Sequence, residues 1–193
     1  MGRWEPNARG RLEQAALDLY EERGFEKTTV AEIAARAGVT ERTYFRHFAD
    51  KREVLFGGTA ELQDMLTSAV ADAPASATPL EATALALEAV GGVFLGNLDR
   101  ARRRQAIIMA NPELRERELI KMAGFAAALA GTLRERGVPD PAAALTAEAG
   151  IAVLKVAFAR WLDAPAGKEL LDFIRESLAE LRSVARSAGP AAV

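Results

Sequence analysis

The sequence predicts an all-α fold, with a three-helix head at its N-terminus followed by a larger helical bundle. Residues that favour helices, namely alanine, leucine, glutamate and arginine, dominate nearly every segment. Apolar residues recur at the three- and four-residue spacing of a helix face. No segment alternates apolar and polar residues with the β-branched content of a strand. Counting the periodic segments gives about nine helices.

Composition restricts the class of protein. Half of the residues are hydrophobic and 27% are charged, which is the profile of a globular chain. The absence of cysteine excludes disulfides, thiolate catalysis and cysteine metal sites, and it fits a reducing compartment. No run without charged residues reaches the roughly 18 residues that span a bilayer. The N-terminus lacks the apolar segment of a signal peptide, so we predict a cytoplasmic protein with no membrane partner.

Caps and stops mark the helices of the head. A first helix ends at Gly24, and Thr29 with Glu32 forms the capping box of a second helix. That short helix closes at Gly38, and Thr40 opens a third. The sequence therefore predicts two short helices separated by a glycine turn.

Proline and glycine divide the rest of the chain. Asp50 is the predicted N-cap of a long fourth helix that carries Val54, Leu55 and Met65 on its apolar face. The proline- and alanine-rich residues 72–79 form a linker. Five further helices are predicted at about residues 79–98, 101–110, 112–136, 141–163 and 168–186.

The two short helices of the head meet the demands of a helix-turn-helix motif. Their close crossing needs a small side chain, which Ala34 supplies, and the turn needs a residue that tolerates positive φ, which is Gly38. The second helix needs an apolar anchor facing the first, and Tyr44 lies at that position. Thr40 can cap this helix and present a hydroxyl to a phosphate.

Charge supports DNA binding only locally. The net charge of −2 gives no indication of nucleic acid, and residues 1–56 contain as many acidic as basic residues. The outward positions of the second motif helix form a set that can read base edges and contact phosphates. A solvated helix face for the arginines and a structural role for the histidine are the alternatives. The set comprises Glu41, Arg42, Thr43, Phe45, and Arg46 or His47.

The segments "RGRLEQAALDLYEERGF" and "TTVAEIAARAGVTERTYFRHFADKREVL" resemble the DNA-binding domain of the TetR/AcrR family of bacterial regulators. The resemblance implies a helix-turn-helix domain at residues 1–56 and a ligand-binding and dimerisation domain at residues 57–193. It further implies a homodimer on palindromic double-stranded operator DNA. In this family the operator is released when a small-molecule inducer binds.

The resemblance also implies a set of DNA-binding residues. Thr29, His47 and Lys51 would contact phosphates, and Thr40, Arg42 and Thr43 would lie in the major groove. Phe45 stands where the family usually has tyrosine, and Tyr44 stands where an aliphatic core residue is common, so its hydroxyl needs a partner. The full predicted set is Thr29, Thr40, Arg42, Thr43, Tyr44, Phe45, Arg46, His47 and Lys51.

In the C-terminal half, "RRRQAIIMANPELRERE" and "FARWLD" resemble the subgroup with a C-terminal domain like that of the mycofactocin regulator. Members of that subgroup are thought to bind acyl-coenzyme A or similar long ligands, and a flat aromatic drug is the alternative inducer. Large apolar side chains on several helices form a predicted pocket, although plain core is the alternative for each. They are Leu62, Leu66, Phe94, Met109, Met122, Phe125, Phe158 and Trp161.

Two further features of this half have open interpretations. The glycines Gly91, Gly92 and Gly96 predict a kink or room for a ligand beside the backbone. Their segment lacks the Lys-Ser/Thr of a phosphate-binding loop, so nucleotide hydrolysis is not predicted. The basic run from Arg100 to Arg104 could meet a phosphate-bearing head group, the DNA side of the ligand domain, or only solvent.

The last two helices predict the dimer interface. The last helix carries an apolar stripe and the helix before it is rich in small residues, so two copies of the pair could form a four-helix interface. A core within one chain could bury the same stripe. The predicted interface residues are Val153, Val156, Leu171, Ile174, Leu178 and Leu181.

The sequence thus predicts a ligand-responsive transcriptional repressor. With a single histidine and no cysteine, no catalytic, metal-binding or cofactor-binding residues are predicted, and an enzyme is disfavoured. An activator, or a helical binding adaptor without operator specificity, is the alternative.

Overall fold

The computed structural model describes residues 7–165 and 167–187. Within them the chain forms nine α-helices and one 3₁₀ turn, with no β-strand, which confirms the all-α prediction. The elements are α1 (Ala8–Arg23), α2 (Val30–Arg36), α3 (Glu41–His47), the 3₁₀ turn (Glu53–Leu55), α4 (Thr59–Ala71), α5 (Pro79–Val93), α6 (Leu98–Ala110), α7 (Pro112–Glu135), α8 (Asp140–Asp163) and α9 (Leu170–Ser187).

The start of the fourth helix differs from the prediction. Asp50 Oδ1 accepts hydrogen bonds from the backbone N–H of Arg52 at 2.7 Å and of Glu53 at 3.1 Å, so it supports the 3₁₀ turn instead of a long helix. Helix α4 begins only at Thr59, after Gly57 and Gly58. Two adjacent glycines oppose helix formation by about 1 kcal/mol each, which explains the break.

The fifth helix is shorter than predicted for a related reason. It ends at Val93, about five residues before the predicted end, and a turn leads through Gly96 to α6. Gly96 has φ +70°, a left-handed conformation that favours glycine and ends the helical path. The glycines of this segment therefore mark the break between α5 and α6.

The described residues divide into two compact units. The head unit comprises residues 7–59 and 100–118, and the bundle unit comprises residues 60–99, 119–165 and 167–187. Most of α6 and the first turns of α7 therefore pack with the N-terminal helices. The predicted domain boundary at residue 56 remains a prediction, and it did not anticipate this second segment of the head unit.

The head unit has one apolar core that joins its two segments. Helix α1 contributes a fully buried face, and α2, α3 and the 3₁₀ turn close over it. The later segment adds side chains from α6 and α7 to the same cluster. Its larger members include Leu12, Leu19, Tyr20, Phe25, Ile33, Tyr44, Phe48, Val54, Phe56, Ile108 and Leu114.

In the bundle unit, α5, α8 and α9 pack closely together. Two glycines allow this approach. A Cβ added at Gly150 would lie 2.5 Å from Thr83 Cγ2, and one added at Gly91 would lie 3.1 Å from the Cα of Leu171. Gly91 therefore makes room for the backbone of α9. The sequence had suggested a kink or space for a ligand at this glycine.

Helix α8 is long and apolar enough to span a membrane by length and composition alone, with a mean hydropathy of 1.6 over its most apolar window. Core helices pass the same test of length and composition, and one side of α8 packs against α5 and α9. It buries Ala147, Ile151, Leu154 and Trp161.

Candidate DNA-binding surface and ligand-binding bundle

The turn between α2 and α3 has the geometry of a helix-turn-helix. Gly38 has φ +68°, and the backbone N–H of Val39 donates to the carbonyl of Ala34 at 2.9 Å, which closes α2 in a left-handed cap. Ala34 is buried at the crossing. Thr40 then caps α3, its Oγ1 accepting from the N–H of Thr43 at 3.2 Å. The local roles predicted for these residues agree with the structure.

The capping box at the start of α2 is formed as predicted. Thr29 Oγ1 accepts from the N–H of Glu32 at 3.2 Å, and Glu32 Oε2 accepts from the N–H of Thr29 at 2.9 Å. The hydrogen bond from the Thr29 backbone lowers the pKa of Glu32. The side chain of Thr29 remains exposed, as a phosphate contact at this helix start requires.

Tyr44 is a correction to the predicted DNA-binding set. Its side chain is completely buried, and its hydroxyl donates to the carbonyl of Asp50 at 3.0 Å. Tyr20 donates in the same way to the carbonyl of Lys51 at 2.5 Å. Burial raises the pKa of both phenols, so they remain protonated donors. Tyr44 therefore positions α3 and the segment after it, and it does not reach DNA itself.

The other predicted side chains of α3 lie at the surface. Thr40, Arg42, Arg46 and His47 are exposed, and 54% of Phe45 is exposed. Thr43 is half-buried beside Thr40. An exposed aromatic ring flanked by cations is an apolar and basic surface, which suits contact with base edges and phosphates.

The arginines of α3 differ from the other arginines of this region in their ion pairing. The nearby arginines Arg23, Arg36 and Arg52 each contact a carboxylate, at 2.7, 2.8 and 2.6 Å. In contrast, Arg42 and Arg46 form no ion pair with any described residue. A head without excess charge can therefore still present a local cationic surface, which the net charge of the sequence does not reveal.

Lys51 has a structural contact in addition to its predicted phosphate contact. Its Nζ donates to the carbonyls of Phe25 at 3.0 Å and Glu26 at 3.3 Å, and it lies 4.2 Å from the centroid of the Phe25 ring. An ammonium has three protons, so one donor remains for a phosphate. The phosphate role of Lys51 stays a prediction.

The predicted pocket residues have mixed environments. Leu66, Phe125 and Trp161 are buried, and Leu62, Phe94, Met122 and Phe158 are half-buried. Met109 is wrong as an interior residue, because 55% of it is exposed and it belongs to the head unit. Ile107 and Ile108 occupy the buried face of α6 and direct Met109 outward.

Three of these residues form an aromatic cluster. The ring centroids of Phe94, Phe158 and Trp161 lie 5.7 to 5.9 Å apart in edge-to-face and tilted arrangements. Trp161 Nε1 is buried and has no hydrogen-bond partner among the described residues. An unpaired buried donor costs about 1–3 kcal/mol, so its position is a notable feature of the bundle.

Two of the surface depressions of the bundle unit contain none of the predicted pocket residues. One, of about 730 Å³, lies at the turn between α8 and α9 and includes Arg160, Lys168 and Phe173. The other, of about 410 Å³, lies between the exposed sides of α8 and α9 and includes Leu145 and Leu181. Leu66, Phe125 and Trp161 are buried, as residues of a plain core would also be, and the pocket they were predicted to line stays a prediction.

Comparison with known proteins identifies both parts of the chain. Residues 13–56 match the family model of bacterial regulatory proteins of the tetR family, and residues 96–186 match the model of the MftR C-terminal domain. The chain belongs to the TetR family. The resemblances of both segments quoted from the sequence are thereby confirmed.

Relatives of this TetR-family chain are transcriptional regulators. It is 39% identical over 84 residues to TcmR of Streptomyces glaucescens, covering 44% of this chain but only 37% of TcmR. It is 25% identical to MftR of Mycobacterium tuberculosis H37Rv, covering 70% of this chain and 69% of MftR. The chain also aligns with the structure of FadR from Bacillus subtilis in complex with stearoyl-CoA, with 20% sequence identity over 89% of this chain and 96% of that chain. The TM-score of 0.61 shows a shared fold.

Half of the predicted dimer interface of this TetR-family chain is buried within it. Val153, Ile174 and Leu178 are almost completely covered inside the bundle unit, so for them the prediction of a dimer contact is wrong. Leu171 and Leu181 are half-buried, and 54% of Val156 is exposed. A stripe on one helix shows that a face is covered, but it cannot show whether the cover comes from the same chain.

Val156 and Leu181 of the predicted interface belong to an apolar face that is exposed or half-buried. Leu145, Ala149, Ala152 and Val156 follow one another at four- and three-residue steps along α8, on the side away from its buried residues. The exposed or half-buried side of α9 adds Leu181, Val184 and Ala185. The sequence signal for this surface was the helical spacing of its small and aliphatic residues.

The basic run of α6 forms ion pairs within the head unit. Arg100 contacts Glu13 at 2.7 Å, and Arg103 contacts Asp18 at 2.6 Å and Glu21 at 2.7 Å. The hydrogen bond from Arg103 lowers the pKa of Asp18. The interpretation of these arginines as a solvated face is therefore wrong, since they connect α6 to α1.

Arg104 has a further role in the same unit. It donates to the carbonyl of Leu55 at 2.7 Å and to Glu118 at 2.9 Å, and its guanidinium lies 5.0 Å from the centroid of the Phe56 ring. Arg117 lies 5.5 Å from the same centroid and pairs with Glu53. The 3₁₀ turn after α3 is thus held by α6 and α7, a contact that no sequence pattern indicated.

Proposed function

We propose that this TetR-family chain is a ligand-responsive repressor that binds operator DNA as a homodimer through α3. The cationic surface of α3 is the observation that carries the proposal. Arg42 and Arg46 lie on it without a carboxylate partner in the described part of the chain, whereas the arginines around them are paired. A short helix with free cations and hydroxyls at its N-terminus suits the major groove.

The dimer supplies the spacing that operator recognition needs. Two copies of α3 in successive major grooves lie roughly 34–36 Å apart, so the operator should be palindromic. The exposed apolar face of α8 and α9 is the surface that supports this dimer. Exposed Leu145 and Val156 would be buried by the second copy.

Release of DNA follows when the ligand prefers a state of the dimer in which the two copies of α3 no longer match the spacing of the grooves. To change the bound fraction from 99% to 1%, it must prefer the released state by about 5.5 kcal/mol.

The proposed inducer is a small, largely apolar molecule. FadR from Bacillus subtilis was solved with stearoyl-CoA, and the match to the MftR C-terminal domain covers residues 96–186. A long acyl-CoA and a flat aromatic compound are the two candidates. A catalytic role has no support from these relatives, which are named as regulators.

Binding to the DNA upstream of the gene tests the proposal. Sequence-specific retardation in a gel shift is expected for the repressor, and it would be lost on adding the inducer. An adaptor without operator specificity would show no retardation even at low salt. Retardation that strengthens with ligand would instead support an activator.

Substitutions on the head separate base contacts from phosphate contacts. Arg42→Ala should weaken specific binding by about 1–3 kcal/mol and relax base preference, while Lys51→Ala should reduce the salt slope by about one. Because Lys51 also holds the carbonyls of Phe25 and Glu26, its variant needs a melting curve beside the binding curve. Arg134→Ala, an exposed arginine of the bundle unit, is the charge-matched control. Unchanged operator affinity for Arg42→Ala contradicts the docking of α3.

A further inference from the structure

Phe45 has the most exposed aromatic ring of the described residues. Of its side chain 54% is exposed, whereas the other described phenylalanine, tyrosine and tryptophan side chains are buried or half-buried. Its ring lies edge-on to that of Tyr44, with centroids 5.6 Å apart, and the Tyr44 hydroxyl donates to the carbonyl of Asp50. The core of the head therefore supports one side of the Phe45 ring and leaves the other side free for a contact.

Glu41 lies on the same side of α3 as Phe45. The two residues are four positions apart, which makes them neighbours on a helix surface. Glu41 is exposed and forms no ion pair with any residue in the described part of the chain. The buried Tyr44 marks the inner face of α3, and the helical repeat places Arg42 and Arg46 opposite to it. Glu41 and Phe45 therefore lie beside the outer, cationic face of the helix.

Neither Glu41 nor Phe45 suits a phosphate. A phenyl ring has no hydrogen-bond donor, and a carboxylate repels the phosphate charge. The major groove offers a partner for each of them. The C5-methyl of thymine is the apolar group on the base edges there, and cytosine N4 is an amino donor. Adenine N6 also donates, but the acceptor N7 beside it repels a carboxylate.

We infer that Glu41 and Phe45 determine the base preference of α3 in the operator half-site. Glu41 accepts a hydrogen bond from cytosine N4, and Phe45 packs against the C5-methyl of a thymine. The four-residue step covers about 6 Å along α3, so the two base pairs lie within about two steps of each other. The inference deepens the proposed function and rests on it, because it requires α3 to enter the major groove.

Each residue also has a purely structural alternative. A carboxylate in the first turn of a helix is stabilised by the helix dipole, as Glu41 would be in α3. The Phe45 ring packs against Tyr44. Such roles would change the stability of the head but not its choice of base. The test therefore compares base preferences, with melting curves measured for each variant.

Replacing thymine by uracil removes only the methyl group. Duplexes that bind the full chain are enriched from a randomised pool, and each thymine of the enriched half-site is then replaced singly by uracil. One replacement should weaken binding about fourfold in fluorescence anisotropy, as expected when one methyl group is no longer buried. In Phe45→Ala the same replacement should have no effect. Leu85→Ala, at an exposed leucine of the bundle unit, should keep the loss.

The carboxylate contact is tested by placing all four base pairs at each position of the half-site. The parent chain should prefer cytosine at one position by about tenfold, the cost of one mismatched base pair. In Glu41→Gln the preference should pass to adenine, because an amide both donates and accepts. Glu26→Gln, at an exposed glutamate of the head outside α3, is the charge-matched control and should keep the preference for cytosine.

The outcomes separate this inference from the proposed function. If the pool yields no enriched sequence, the proposed function fails and the inference fails with it. If a sequence is enriched but no uracil replacement weakens its binding, the thymine contact is wrong while operator binding stands. That result comes from the parent chain, so it decides even if Phe45→Ala does not fold.

Two further results would overturn the assignment of the residues. One is a uracil effect of the same size in Phe45→Ala, which would place the methyl group against another side chain. The other is a cytosine preference that survives in Glu41→Gln, which would leave Glu41 with its role at the start of α3 alone.

Discussion

Gly38 shows how much of the DNA-binding head depends on one residue. Its φ of +68° is a conformation that costs other residues about 1–2 kcal/mol, although a Cβ added there would meet no atom within 4 Å. Gly38→Ala should therefore destabilise the protein by about 1 kcal/mol through the backbone alone. Thermal or urea unfolding measures the loss.

Gly58 is the matched control for that substitution. It also has open space around it, but its φ is not in the left-handed region. Gly58→Ala should leave stability unchanged or raise it by a few tenths of a kcal/mol, because alanine restricts the unfolded chain. Equal losses for the two variants would mean that the turn does not depend on left-handed backbone.

At the scale of helices, adjacent glycines in α5 have opposite roles. A Cβ at Gly91 would lie 3.0 Å from Ile174 Cδ1 and 3.1 Å from the Leu171 Cα, and that backbone cannot move without shifting α9. Gly91→Ala should destabilise the chain by about 1–3 kcal/mol. Gly92 meets nothing within 4 Å, so Gly92→Ala should be neutral or stabilising by up to about 1 kcal/mol. Urea unfolding of the pair measures the difference, and matching curves would contradict the close packing of α5 on α9.

The link between α6 and α1 should depend on pH. Arg103 lowers the pKa of Asp18, so in the folded state this carboxyl titrates below its unfolded value. The stability that the pair contributes is then complete above the unfolded pKa, about 4, and is lost as the pH falls through the folded one. Both side chains are about one-third exposed, so the contribution is small, about 1 kcal/mol.

Urea unfolding of Arg103→Met checks this sign. The variant should be less stable than the parent at pH 7, and the difference should shrink at pH 3. A difference that persists undiminished at pH 3 would assign the effect to packing of the arginine stem and not to its ion pair.

At the scale of the whole molecule, the exposed apolar face of α8 and α9 predicts the oligomer. Leu145 is 72% exposed and lies on the same face as Val156. A charge buried there without a partner opposes association, so Leu145→Glu or Val156→Glu should give monomers in analytical ultracentrifugation. Operator affinity should fall with them, because the two heads no longer bind as one unit. Leu85→Glu, at an exposed leucine of α5, should remain dimeric.

Features that arise from neighbouring residues could be predicted from the sequence. The capping box of Thr29 and Glu32, the left-handed turn at Gly38 and the cap at Thr40 involve atoms only a few positions apart, so residue type and spacing suffice. For the same reason, the helix-turn-helix motif and its outward-facing side chains could be predicted from the sequence. Tyr44 was correctly predicted as the anchor of α3, and its inclusion among the DNA contacts was wrong because an anchor is buried.

Other features depend on partners far away in the chain. Glu13 lies 87 residues from Arg100, and Ile174 and Leu178 could equally have been covered by a second copy. Periodicity shows that a side chain will be covered or paired, but it carries no information about which distant surface does so. The cover of the α9 stripe, the partners of the α6 arginines and the isolation of the Trp161 donor were therefore determined by packing in three dimensions.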